Sequence, residues 1–122
     1  MSKLMVSVSG IRGIIGEGLT PLEVVKYTQA FGTYLGSGKV VVGRDSRVTG
    51  EMVKSAVLSG LMAVGCDVID IGVCPTPTVQ MTVEKLQARG GIAVTASHNP
   101  IEWNALKLID SSGLFLDEEQ IL

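Results

Sequence analysis

Three polar, glycine-rich stretches hold most of the side chains in this 122-residue chain that could do chemistry: Ser9-Gly10-Ile11-Arg12-Gly13, Gly43-Arg44-Asp45-Ser46-Arg47 and Thr95-Ala96-Ser97-His98-Asn99-Pro100. Arg12, Arg44 and Arg47, joined by Lys107, carry the positive charge that a phosphorylated ligand needs. Gly10 and Gly13 would let backbone N–H groups come close to phosphate oxygens. An anionic phosphate ligand is the chemistry these residue types imply. For Arg44, Asp45 and Arg47 the preferred reading is plainer: a local salt-bridge cluster that holds its own loop.

Ser97 invites a test for nucleophilic catalysis, since it follows an apolar run and precedes His98 and Asn99. A Ser-His relay would have to recruit His98, the single histidine, yet neighbouring side chains of an extended segment point to opposite sides. The G-x-S-x-G elbow of the hydrolases is absent. Gly38-Lys39-Val40 fails the phosphate-loop pattern, which requires Ser or Thr after the Lys, and no G-x-G-x-x-G follows a strand. Phosphoryl transfer through a phosphoserine survives these exclusions, because it needs positive charge, positioning and a cation rather than a base relay. A helix-cap or turn role for Ser97 stands beside it.

The elements that would position these loops follow from periodicity. A strand over 4–9 alternates apolar and polar residues, and Gly10, Gly13, Gly16 and Gly18 make the next stretch a loop. Thr20-Pro21-Leu22-Glu23 opens a helix with Thr20 as N-cap, Pro21 in the first turn and Glu23 placed for a capping box. Val24, Thr28, Phe31 and Leu35 form its inner face, and Gly36-Ser37-Gly38 ends it. The run over 39–43 is nearly all apolar, as a strand buried on both faces would be. A second helix over 50–64 carries Val53, Ala56, Val57, Gly60, Leu61 and Val64 on one stripe, with Gly65 as its stop. A strand over 67–73, a helix over 78–88 using Val79, Val83 and Leu86, and strands over 91–96 and 104–110 complete the alternation, and Asp117 reads as the N-cap of a further helix. Such alternation is the pattern of an α/β layer protein. The loops after its parallel strands gather at one edge, where ligands bind. A final helix of one turn would not be stable alone, so the chain is expected to be an N-terminal piece of a longer polypeptide.

Composition narrows the partners. With 46% hydrophobic residues and a net charge of -2, the chain has too much apolar surface to stay disordered. A mean hydropathy of +0.40 comes without any apolar run near the ~20 residues a membrane span requires. The N-terminus lacks the apolar stretch of a secretory signal, so a cytoplasmic location is expected, away from membranes. Ten Lys and Arg against twelve Asp and Glu offer no basic field, and one Trp, two Tyr and two Phe offer few stacking platforms, so nucleic acid is not an expected partner. Cys66 and Cys74, outside any C-x-x-C pattern, read as small buried hydrophobes, and with His98 they match no zinc spacing.

Five stretches in order, namely Ser9-Gly10-Ile11-Arg12-Gly13, Gly43-Arg44-Asp45-Ser46-Arg47, Cys74-Pro75-Thr76-Pro77, Thr95-Ala96-Ser97-His98-Asn99-Pro100 and Asn104-Ala105-Leu106-Lys107, resemble domain I of the α-D-phosphohexomutases. That family includes phosphoglucomutase, phosphomannomutase and phosphoglucosamine mutase. The resemblance covers nearly the whole chain and implies a three-layer α/β/α domain with a mixed, mostly parallel sheet. It implies that Ser97 is a phosphoserine that exchanges its phosphoryl group with a hexose monophosphate through a bisphosphate, interconverting 1- and 6-phosphates. Arg12 and Lys107 match the cations beside the reacting oxygens, His98 the residue that orients the phosphoserine or substrate, and Ser9 and Asn99 further substrate contacts. Mg²⁺ would be held by the phosphate on Ser97 and by acidic residues of a following domain, with a hexose 1,6-bisphosphate as activator. Downstream domains of the same polypeptide are implied partners, and the isolated chain is expected to fold without turning over substrate. Val6-Ser7-Val8 stands where the family has aromatic-Gly-Thr, and Asn104-Ala105 where it has Asn-Gly. A phosphoglucosamine mutase, or a phosphosugar-binding module without turnover, is the alternative.

Overall fold

A computed structural model describes residues 5–7, 10–95 and 103–116. Its elements run β1 (Met5–Ser7), β2 (Gly10–Ile14), α1 (Pro21–Leu35), β3 (Gly38–Arg44), α2 (Gly50–Ala63), β4 (Cys66–Val73), α3 (Thr76–Lys85), β5 (Gly90–Val94) and β6 (Trp103–Ile109). The expected helix-initiation and helix-stop chemistry is present in α1. The Glu23 amide donates to Thr20 Oγ1 at 3.3 Å, Pro21 fills the first turn, and Gly36 closes the helix in the left-handed region at φ 77°. Asp117 and residues 96–102 lie outside the described residues.

Among the described residues six strands form one sheet in the order β1-β2-β6-β5-β3-β4. Alternation along the strands sorts the side chains into two faces. Ile11, Val40, Val42, Ile92, Val94, Leu106 and Leu108 pack against Val24 and Phe31 of α1 and Val53, Val57 and Leu61 of α2. On the opposite face Val41, Ala93 and Ile109 pack against Val79 and Val83 of α3. The result is the expected three-layer α/β/α arrangement. Each of Val40, Val41 and Val42 is fully buried, as a strand covered on both sides requires, and such burial contributes roughly 1.5–3 kcal/mol per side chain.

Three sequence expectations need correction. The glycines at 10 and 13 do not mark a loop, for β2 is a strand antiparallel to both β1 and β6. The sheet is mixed but not mostly parallel: β3 pairs in parallel with β4 and β5, whereas β1–β2, β2–β6 and β5–β6 are antiparallel. Helix α3 also begins earlier and ends earlier than 78–88, leaving Leu86 at the surface, 37% exposed.

Gly10 explains why a glycine belongs inside a strand here. It sits at φ +100°, and a Cβ on it would run into the Leu106 carbonyl of the neighbouring strand. Gly10→Ala combines a positive φ with a backbone clash, each of which costs about 1–3 kcal/mol. A thermal unfolding scan should therefore show a lower Tm, by several degrees at least. An unchanged Tm would mean that β2 can move away from β6 at no cost.

Candidate functional site

The pairing of β2 with β6 places Arg12 opposite Ala105, and that of β6 with β5 places Lys107 opposite Ala93. Because side chains alternate, Arg12, Ala105 and Lys107 share one face, the face of α3. Helix α3 packs over β3 and β5 and reaches β6 at Ile109. Arg12 and Lys107 lie farther along the sheet, and both are half-buried. Thr95 follows β5 on the same face, its amide donating to the Ala105 carbonyl at 3.0 Å.

Asp45, which follows β3, joins this group. Thr95 Oγ1 donates to Asp45 Oδ2 at 2.8 Å, the Arg47 amide to Asp45 Oδ1 at 3.1 Å, and Arg47 Nε to Asp45 Oδ2 at 3.2 Å. Arg47 extends further, donating from a guanidinium nitrogen to the Trp103 carbonyl at 3.3 Å. Arg44 points elsewhere, pairing with Glu51 at 3.2 Å and donating to the Asp45 carbonyl at 3.0 Å. The salt-bridge reading therefore holds for Asp45 and Arg47 and needs correction for Arg44, whose ion pair is with Glu51 of α2 rather than within the loop. Arg12 and Lys107 are the two cations of the group that stand together on the sheet.

Lys107 has its pKa lowered below the ordinary 10.5, first by burial and then by the neighbouring Arg12 guanidinium, with Asp45 acting in the opposite direction. Its ammonium also lies 5.9 Å from the centre of the Phe115 ring. A half-buried amine beside a second cation is poised to attract an anion and to give up its proton more readily than a solvated lysine.

Of the residues singled out in the sequence, Arg12 and Lys107 are brought together, while Ser9, Ser97, His98 and Asn99 lie outside the described residues. The Thr95–Asp45–Arg47 connection escapes the sequence reading, although the Asp-x-Arg spacing at 45 and 47 is its signal. Among the described residues no three His, Cys, Asp or Glu side chains come together to hold a metal ion, and Asp45 already accepts from Thr95 and Arg47. The described residues by themselves therefore do not form a cation site. Cys66 and Cys74 are free thiols whose pKa burial raises; Cys66 is buried as expected, whereas Cys74 is only partly buried, against the core under α3. Among the described residues no helix is long and apolar enough to cross a membrane.

Residues 3–122 match the family model of phosphoglucomutase/phosphomannomutase, alpha/beta/alpha domain I. The chain belongs to this family. It is 49% identical over 116 residues to a phosphoglucomutase/phosphomannomutase of Thermococcus kodakarensis, a match that covers 91% of this chain and 25% of that protein. It is 48% identical to a probable phosphoglucosamine mutase of the same organism, again covering 91% of the chain and 25% of the relative. Among solved structures, a putative phosphomannomutase from Thermus thermophilus superposes with a TM-score of 0.89 at 32% identity, covering 99% of this chain and 29% of that one. The chain therefore spans about a quarter of the length of the relatives it matches.

The sign of the Lys107 shift gives this phosphohexomutase domain a measurable stability signature. A lysine whose folded-state pKa is depressed opposes folding wherever it is charged in both states, which is the range below its folded pKa. As pH rises from there toward 10.5, the penalty is relieved. Lys107→Met should accordingly raise Tm at neutral pH, with an advantage that shrinks as pH climbs through the folded-state pKa. A variant that is less stable than the parent at pH 7, or an advantage that grows with pH, would contradict the assigned environment.

Proposed function

We propose that this domain supplies the phosphoserine and the cations for moving a phosphoryl group between the 1- and 6-positions of a hexose phosphate. The observation that carries the proposal is the placement of Arg12 and Lys107 side by side on one face, next to Thr95, two residues before Ser97. In the forward half-reaction the substrate hydroxyl oxygen attacks the phosphorus on Ser97, the Ser97 Oγ–P bond breaks, and the proton lost from the hydroxyl is balanced by one gained at the serine. The sugar bisphosphate then turns around and returns its other phosphoryl group to Ser97.

Arg12 and Lys107 would stabilise charge on the moving group and its oxygens, and the lowered pKa of Lys107 suits it to hold or release the proton at the attacking or leaving oxygen. His98 would orient the phosphoserine or the sugar, and Ser9 and Asn99 would contact the substrate. Mg²⁺, when bound, would neutralise phosphate charge, with the phosphate on Ser97 as the ligand this domain contributes and the others drawn from further domains. Relatives named for glucose, mannose and glucosamine phosphates support a hexose phosphate substrate and leave the three sugars as the set to compare.

The test uses the full polypeptide that carries this domain, with Mg²⁺ and a hexose 1,6-bisphosphate, assayed on glucose, mannose and glucosamine 1-phosphates. Mass spectrometry should locate phosphate on Ser97, and Ser97→Ala should abolish turnover. Lys107→Ala should lower kcat by about a hundred- to a thousandfold, the range for losing one electrostatic donor to a transition state. Phosphate on another residue with full activity in Ser97→Ala would refute the assignment. A kcat for Lys107→Ala within about twofold of the parent would transfer the charge-stabilising role to another group.

A further inference from the structure

Side chains of the 45–49 loop bond to residues that follow β5 and open β6. Residues 96–102, which include Ser97, begin after Thr95 and end before Trp103. Both flanks are tied to the same short loop. At the leading flank Thr95 Oγ1 donates to Asp45 Oδ2 at 2.8 Å. At the trailing flank Arg47 donates to the Trp103 carbonyl at 3.3 Å, and Asn104 Nδ2 donates to Thr49 Oγ1 at 3.0 Å. Asp45 and Arg47 are themselves paired at 3.2 Å, so one ion pair bridges the two flanks.

The ties are better protected than an ordinary surface ion pair. Arg47 is only 11% exposed and Asp45 28%, Thr95 is buried, and Asn104 is fully buried. The Asn104 carboxamide is also fixed from its other end, where Oδ1 accepts from the Ala105 amide at 2.9 Å. Charge-assisted bonds in such surroundings hold geometry more tightly than solvated ones. Thr49, which precedes α2, makes no side-chain cap bond to its own helix, so its hydroxyl serves β6 instead.

We infer that Asp45 and Arg47 are positioning residues, a clamp that fixes Thr95 and Trp103, the two described ends that flank the stretch with Ser97, relative to Arg12 and Lys107. The catalytic consequence rests on the function proposed above; the clamp itself does not. A misplacement of about 1 Å at a reacting group can cost a hundredfold in rate, so a clamp remote from the substrate can govern kcat while leaving KM nearly unchanged. It should act through hydrogen bonds that a conservative substitution can preserve.

The experiment takes the full polypeptide and compares Asp45→Asn, Arg47→Gln, Thr95→Val and Thr95→Ser. Turnover of glucose 1-phosphate and amide hydrogen exchange across 93–106 are measured on the same samples. Asp45→Asn and Thr95→Val should each lower kcat about tenfold or more with KM within about threefold, in line with the loss of a hydrogen bond to a charged group. Thr95→Ser, which keeps the hydroxyl, should stay near the parent. The double variant Asp45→Asn/Thr95→Val should lose less than the product of the two single losses, since both act on the Asp45–Thr95 bond. Exchange at both flanks should accelerate in Asp45→Asn and Arg47→Gln. Parent-like kcat and exchange in Asp45→Asn, or equal losses in Thr95→Ser and Thr95→Val, would overturn the clamp. An inactive parent would refute the proposed function instead, and the exchange data would still decide the clamp.

Discussion

The register of β2 against β6 is the constraint on which the cationic site depends. Side chains along a strand alternate, so a slip of one residue would carry Arg12 to the α1 face and turn Ile11 outward. That alternative would remove Ile11, fully buried beneath α1, from the core and place a guanidinium among Val24, Phe31 and Leu108. An unpaired charge in such a place costs more than the burial of one aliphatic side chain recovers. Gly10 narrows the choice further, because only a residue without a Cβ fits against Leu106. The hydrophobic core therefore specifies where the charges stand, although none of its members belongs to the site.

Burying Lys107, and holding it beside Arg12, opposes folding, as the lowered pKa of Lys107 records. The sheet tolerates the pair because on its own face the apolar packing of α3 lies over β3 and β5, while Ile11, Leu106 and Leu108 beside the pair turn to the opposite face under α1 and α2. Asp45 acts on Lys107 in the opposite direction, while its carboxylate is also shared with Thr95 and Arg47.

Much of the frame is legible in the sequence, and the reasons differ by element. Helix α1 declares itself through Thr20, Pro21 and Gly36, because capping chemistry is local. Strand β3 is legible from its three valines, since burial on both faces leaves no polar alternation. Strand β2 is hidden because its glycines resemble turn markers, whereas Gly10 serves a close approach between strands that only tertiary structure reveals. The balance of parallel and antiparallel pairing escapes for a related reason: alternation reports burial, not direction. A clue does exist, for the connection from β5 to β6 is too short for the crossover of about a dozen residues or more that parallel neighbours need. Arg12 and Lys107 are far apart in sequence, and no spacing rule joins them; the family resemblance does, and the sheet register accounts for it.

The proposed function is compatible with relatives named for different sugars. On the proposed function Arg12 and Lys107 would meet a phosphoryl group, which presents the same charge whichever hexose bears it. Asp45, Arg47, Thr95 and Asn104 bond to one another or to neighbouring loop and backbone groups, so they contribute geometry rather than ring recognition. Discrimination at a sugar hydroxyl or amine needs donors and acceptors matched to that substituent, because rejection comes from leaving buried polar partners unpaired. On that reading the cations and the clamp would serve phosphoryl handling, and sugar selection would fall to groups matched to the ring substituents.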